Sequence, residues 1–165
     1  MCVTKAFVRL LFVFLSTLIC CIISQHAFGR ESGANPLRYE NIRFQKAGIN
    51  EGLSQNFVAS IYQDHHGFIW IGTRDGLNMY DGYSFRVFKH DTFDPFSMSD
   101  KYIRAIHEDQ QGRLGIGTCN GGLNVFDRQT ESFVRFAHDP GKPESISSNN
   151  IQQIVCDLDG HIWIG

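Results

Sequence analysis

The sequence predicts an all-β fold, and three observations carry that reading. The string Gly67-Phe68-Ile69-Trp70-Ile71-Gly72 returns as Gly112-Arg113-Leu114-Gly115-Ile116-Gly117 and as Gly160-His161-Ile162-Trp163-Ile164-Gly165, at steps of 45 and 48 residues (67 to 112, 112 to 160). A period in that range marks an array of like supersecondary units. Each copy lies between turn signals spaced for short strands. Beyond the N-terminus no stretch carries a convincing helical period.

Taken in order, residues 1–29 stand apart. Lys5 and Arg9 precede Leu10–Ile23, a run without charge, and Ala27-Phe28-Gly29 offers small residues around a cut. This is the layout of a secretory signal. A spanning helix wants about 20 apolar residues, so an uncleaved anchor is the second choice. Neither Cys20 nor Cys21 follows a small residue, which argues against a lipoprotein site. Residues 30–37 read as a linker. Residues 38–52 hold an extra strand, Arg38–Phe44, and a lead-in; in a closed ring of units such a strand often completes the last one.

The first unit spans 53–97, the second 98–145, and 146–165 is the opening half of a third. Each begins with a Ser-bearing segment (Leu53-Ser54-Gln55-Asn56, Met98-Ser99-Asp100-Lys101, Ile146-Ser147-Ser148-Asn149), followed by the apolar pairs Val58/Ile61, Ile103/Ile106 and Ile151/Ile154. Then comes Asp-x-x-Gly, at Asp64, Asp109 and Asp157. It is a tight-turn signal in which the carboxylate accepts turn N–H groups and glycine supplies positive φ. The next run, Phe68–Ile71 in the first unit, is apolar without alternation, as expected of a strand covered on both faces. Gly76–Asp81 and Gly122–Asp127 give a third strand, Ser84–Phe88 and Ser132–Phe136 a fourth. The second unit is longer by Gly121 and by two residues in the Arg128–Glu131 turn, positions where insertions are tolerated. Four short strands per unit, the central ones apolar on both faces, describe the blade of a β-propeller. The expected fold is thus a partial β-propeller of two full four-stranded blades plus half of a third, after a hydrophobic signal segment. Propellers close with roughly four to eight blades, so the chain reads as a fragment of a longer protein.

Composition narrows the function. Net charge is −2 with both signs interspersed, so there is no electrostatic footprint for nucleic acid. With 42% hydrophobic and 13% aromatic residues the chain is globular. Past the signal segment only Cys119 and Cys156 remain, in different units. Two lone cysteines are the favoured reading beside an open alternative of one disulfide, and no metal or cofactor site is expected.

The aligned residues support a family resemblance. Asp64-x-x-Gly67-Phe68-Ile69-Trp70-Ile71-Gly72-Thr73-x-Asp75-Gly76-Leu77-Asn78-x-Tyr80-Asp81 resembles the two-component regulator propeller repeat. His138-Asp139-Pro140 through Asn149 is similar to that family's linker, His90-Asp91 to Ser99 is a looser copy, and Glu51-Gly52-Leu53-Ser54-Gln55-Asn56 is similar to the start of its first blade. The resemblance covers about residues 38–165. It implies a periplasmic or extracytoplasmic sensor propeller, followed in the parent by a β-sandwich, an inner-membrane helix and a histidine kinase or diguanylate cyclase. Some members sense oligosaccharides. None of the output domains lies in this sequence, so the resemblance implies no enzyme activity for the segment itself. Implied partners are an oligosaccharide or other small polar ligand, further blades and the downstream domains; membrane contact would come only through the signal or anchor segment or the parent. One departure stands out: Gly115 occupies the position of Trp70 and Trp163, and the expectation is that neighbouring side chains fill the gap.

Residues recurring once per unit read as scaffold. Asp64, Asp109 and Asp157 belong to separate blades and do not converge as an acid–base pair. His90 and His138 are repeat-related linker residues, His65-His66 adjoin a solvated turn, and Ser54, Ser99 and Ser147 lack a partner His and Asp. Cys119-Asn120-Gly121-Gly122 lacks the Lys-Ser/Thr and helix of a phosphate loop. Variable polar residues on one rim are the candidates for function: Arg74, Asp75, Lys101, Tyr102, Cys119, Asn120, Asn149 and Asn150. Cationic, amide and aromatic groups around a funnel suit hydroxyl-rich or carboxylated ligands. The leading expectation is a non-catalytic, ligand-sensing segment of a transmembrane regulator. The alternatives are a fragment of a secreted propeller enzyme (lyase or dehydrogenase) and a protein-interaction propeller of the kelch or WD type.

Overall fold

A computed structural model of the chain describes residues 43–165. The signal segment and linker expected over 1–37 lie outside the described residues. So does most of the expected extra strand: only its Arg43 and Phe44 are described, and neither is in a strand. A single 3-10 turn, Ile49–Glu51, precedes ten strands.

The strands β1 (Val58–Gln63), β2 (Ile69–Thr73), β3 (Gly76–Tyr80) and β4 (Phe85–Phe88) form one antiparallel sheet in the order β1-β2-β3-β4. The strands β5 (Ile103–Glu108), β6 (Leu114–Thr118), β7 (Leu123–Asp127) and β8 (Ser132–Phe136) repeat that order, and β9 (Ile154–Cys156) pairs with β10 (Ile162–Ile164) as a hairpin. The fold is all-β, with two meander sheets followed by the first hairpin of the same pattern. Register repeats too. Ile61 faces Ile71 and Ile106 faces Ile116, and each first strand carries a bulge, at Ala59 and at Arg104. A bulge leaves one residue out of the ladder and re-aims its side chain.

The sheets pack face to face, which explains the missing alternation. Every residue of β6 is buried. The core between the first two sheets joins Trp70, Leu77, Met98, Ile103, Ile106, Leu114, Ile116, Phe126 and Phe133. Phe126 from the second sheet meets Trp70 of the first edge-on at 5.2 Å between centroids. Phe88 touches Phe126 and Phe133 in the same way, at 5.2 and 5.7 Å. Such pairs add about 0.5–1.5 kcal/mol each beyond the area they bury. A smaller cluster of Ala105, Ile151 and Ile154 joins the second sheet to the hairpin.

Two glycines set how closely the sheets approach. A Cβ on Gly72 would lie 2.7 Å from Ile103 Cγ2, and one on Gly117 would lie 2.5 Å from Ile151 Cγ2. Gly-Thr at the end of the second strand is therefore a packing requirement: the next unit's isoleucine occupies the space of the missing side chain. Backbone bonds join the units at the same level. Gly76 N–H donates to Lys101 O (2.8 Å), and Gly122 N–H donates to Asn149 O (2.8 Å).

Gly115 corrects the expectation that neighbours fill the tryptophan gap. Its face of the second sheet is an apolar groove of about 330 Å³ lined by Leu123, Val125, Phe136, Ile154 and Ile162 among others. Only the polar half of the lost indole is replaced, by Arg113. Leu123 and Ile154 come within ordinary van der Waals distance of the Cβ position, at 3.7 and 3.8 Å, but the space beyond it stays open as the groove.

Candidate functional site

The recurring acids serve the scaffold. Asp64 Oδ1 accepts the His66 and Phe68 N–H groups, and Oδ2 accepts the Trp70 indole N–H at 2.8 Å. Asp157 holds its turn and the Trp163 indole in the same way. In the middle unit, where the indole is missing, Arg113 Nε donates to Asp109 Oδ2 at 2.6 Å. Burial pushes the Asp64 carboxyl up, but the Trp70 indole, the Arg128 guanidinium and the Phe68 N–H outweigh it and hold it below the usual carboxylate range. Burial of Asp109 is likewise outweighed by the Arg113 backbone and side chain. These acids stay ionised as anchors. Among the described residues, Asp157, Asp159 and His161 lie close enough together to hold an ion, yet Asp157 already accepts from the turn and Trp163.

Ser54, Ser99 and the repeated histidines are equally committed. Ser54 N–H and Oγ bond the buried Asn78 amide, and Ser99 does the same with Asn124. His90 Nδ1 sits 2.6 Å from Met98 O and His138 Nδ1 2.8 Å from Ile146 O, tying each linker to the next unit. His65 lies in the expected exposed turn and also makes a contact to the second sheet. Its ring lies 3.8 Å from that of His66, and its Nδ1 is 2.7 Å from Glu108 Oε1 of the second sheet. Arg128 completes this junction, reaching Asp64 Oδ2 at 2.9 Å and Glu108 Oε1 at 2.7 Å.

On the opposite turns, one pair of the expected rim residues comes together. Arg74, in the β2–β3 turn, places its guanidinium carbon 4.0 Å from the centroid of the Phe57 ring and 5.4 Å from that of Tyr102. Phe57 and Tyr102 occupy the same position in successive units, just before the innermost strand. Arg104, at the β5 bulge, lies 5.0 Å from the Tyr102 ring. The result is an alternating ladder, Phe57–Arg74–Tyr102–Arg104, spanning two units. Cation–π contacts of this kind contribute about 0.5–1 kcal/mol each at exposed sites.

The other expected rim residues are placed differently. Asp75 pairs with Lys89 at 2.7 Å. Lys101 is held through its backbone: its N–H donates to Asp100 Oδ1 and its carbonyl accepts the Gly76 N–H. Cys119 N–H donates to Tyr102 O and Asn120 N–H to Asp100 Oδ2, which puts that turn beside Tyr102. Cys119 and Cys156 are both free thiols. Asn149 accepts the His138 N–H and belongs to the linker, while Asn150 accepts from Gln152. Phe57 and Arg104 were missed by sequence reasoning. The signal for Phe57 was available, since it aligns with Tyr102 and Asn150 at a position where the repeat varies.

The architecture is that of successive propeller blades, and comparison with known proteins agrees. The family model described as "Two component regulator propeller" matches residues 52–75. A 59-residue stretch is 42% identical to "Histidine kinase P4" of Formosa agariphila, covering 36% of this chain and 4% of that protein. The crystal structure of the extracellular domain assigned to the hybrid two component system BT3049 of B. thetaiotaomicron superimposes with a TM-score of 0.67 and 31% identity. That match covers 73% of this chain and 17% of the solved one. This chain thus spans a small part of the length of both relatives. Over the repeat at residues 52–75 it is similar to the two-component regulator propeller family.

Proposed function

We propose that the chain is a ligand-sensing propeller segment of a transmembrane signalling regulator, acting outside the cytoplasm and performing no chemistry itself. The observation that carries this reading is the contrast between the two kinds of polar residue. The repeated acids and histidines, with Ser54 and Ser99, are bonded into the scaffold, whereas the side chains of Arg74, Tyr102, Phe57 and Arg104 gather on one rim. The extracellular location of the BT3049 domain supports the placement, and the histidine kinase relative supports a signalling parent. The signal-like segment at 1–29 adds to it from the sequence.

The mechanism is a population shift. A ligand seated on the rim bridges two blades through Phe57 and Arg74 on one side and Tyr102 and Arg104 on the other. It therefore favours one relative setting of the blades, and that setting biases whatever packs on the propeller. The test uses the purified full chain with a panel of neutral and acidic trisaccharides, followed by thermal melting and by chromatography of the sugar. A sensor raises its melting temperature with at least one sugar, by mass action, and returns that sugar unchanged. Turnover of the sugar would contradict the reading.

A further inference from the structure

We infer that the groove beside Gly115 is a binding site for a small, free indole, a reading independent of the rim and of the sensing role. The repeat itself carries the pattern for this ligand. In the first unit Trp70 stacks on Phe88, with ring centroids 5.9 Å apart and planes 26° from parallel. It shares its core cluster with Ile106 and Leu114 of the next unit, and its indole N–H ends on Asp64 Oδ2. The repeat places Phe136, Ile154 and Ile162 at the corresponding positions around Gly115, and all three line the groove together with Asp109. The walls of an indole seat are thus rebuilt in the second unit, where the chain supplies no indole. The space is open as well. A Cβ on Gly115 would meet nothing closer than 3.5 Å, and the groove beyond it measures about 330 Å³.

Each wall fixes part of the ligand's chemistry. Phe136 is 47% exposed and offers a ring for a flat aromatic to pack on, as Trp70 packs on Phe88. Val125, Ile154 and Ile162 call for an apolar body, and apolar hollows take up small aromatic molecules. The polar end calls for one N–H. Arg113 Nε donates to Asp109 Oδ2 at 2.6 Å, but a carboxylate oxygen has lone pairs for two bonds. The third unit shows that sharing: Asp157 Oδ2 accepts the Trp163 indole N–H at 2.8 Å and lies 3.2 Å from Nδ1 of His161, the residue aligned with Arg113. Asp64 Oδ2 likewise accepts both the Trp70 indole and the Arg128 guanidinium. The Arg113 side chain is 63% exposed, so it moves aside toward solvent without giving up buried area. Gly115 is already paired on both sides, with His107 of β5 and Val125 of β7. A strand cannot be added there, and the ring therefore arrives as a free molecule without a backbone of its own.

Titration calorimetry on the full chain tests this with indole and with benzofuran, which has the same outline and an oxygen in place of the N–H. Indole is expected to saturate one site and to bind about tenfold tighter than benzofuran, the worth of a hydrogen bond to a charged group. Proton NMR of the complex should give cross-peaks from the indole ring to Phe136 and to the methyl groups of Ile154 and Ile162. Gly115→Trp supplies the side chain that the other units carry; it is expected to abolish indole binding and to raise the melting temperature. Gly115→Ala sets a methyl group where the ring would begin and is expected to weaken indole about tenfold through overpacking. Melting curves report whether each variant folds, and the alanine variant, whose Cβ has room, carries the test should the tryptophan variant fail to fold. No saturable binding of indole, equal affinity for benzofuran, or indole binding undiminished in the folded variants would overturn the inference and leave the sensing role untouched.

Discussion

Gly115 and Gly117 lie two residues apart in β6 and are expected to respond to alanine in opposite directions. Around Gly115 a Cβ meets nothing closer than 3.5 Å, so Gly115→Ala removes a flexible residue from a strand and should raise stability by about 0.5–1 kcal/mol. Gly117 faces Ile151 at 2.5 Å from an ideal Cβ, and Gly117→Ala should lower stability by about 1–3 kcal/mol through overpacking. Urea unfolding of the two variants checks both signs at once. Arg128 gives a third residue-scale test. It bridges Asp64 and Glu108, whose side chains are 0% and 6% exposed, so Arg128→Ala strands two buried carboxylates. The expected loss is about 3 kcal/mol. Glu131→Ala removes only a half-exposed partner of Arg86 and should lose less than about 1 kcal/mol.

At the scale of elements, the Asp-x-x-Gly turn is both hinge and anchor of each hairpin. One carboxylate closes the turn and holds a side chain beyond it: the indole of Trp70 or Trp163, second residue of β2 or β10, and in the middle unit the guanidinium of Arg113, just before β6. Because the folded carboxyls of Asp64 and Asp109 are held below their ordinary value, their contribution to stability is complete above the unfolded aspartate pKa of about 3.9. It is lost as pH falls through the lower folded values. Stability measured by denaturant unfolding should therefore be flat near neutrality and drop below about pH 4, with a shallower drop in Asp64→Asn. The longer β7–β8 turn shows a different economy. Its extra residues look like tolerated loop length in the sequence, yet the turn carries Arg128 and Glu131, and both bond the first sheet.

For the whole molecule, most of the fold was legible because the repeat presents each position in two or three copies. Trp70, Gly72, Asp64 and Asn78 recur, and recurrence marks them as architecture before any coordinate is known. What the copies did not disclose is contact between units. The Gly72–Ile103 approach, the Arg128 junction and the His65–Glu108 pair link residues far apart in sequence, and no local pattern encodes such pairing. The Gly115 groove was misjudged for the same reason: whether a gap closes depends on the reach of side chains from another unit. At the rim, Arg74 and Tyr102 were legible as variable polar positions. Arg104 was not, because a residue inside a strand reads as part of the ladder and only the bulge turns it outward.

The central claim is that the units lie side by side as blades, with the Trp70 ring of one seated against Phe126 of the next. Two-dimensional proton NMR on the full chain tests it most directly. Cross-peaks between the Trp70 and Phe126 ring protons are expected, together with slow exchange of the Trp70 indole N–H held by Asp64. Absent cross-peaks and a rapidly exchanging indole would contradict the stacked arrangement.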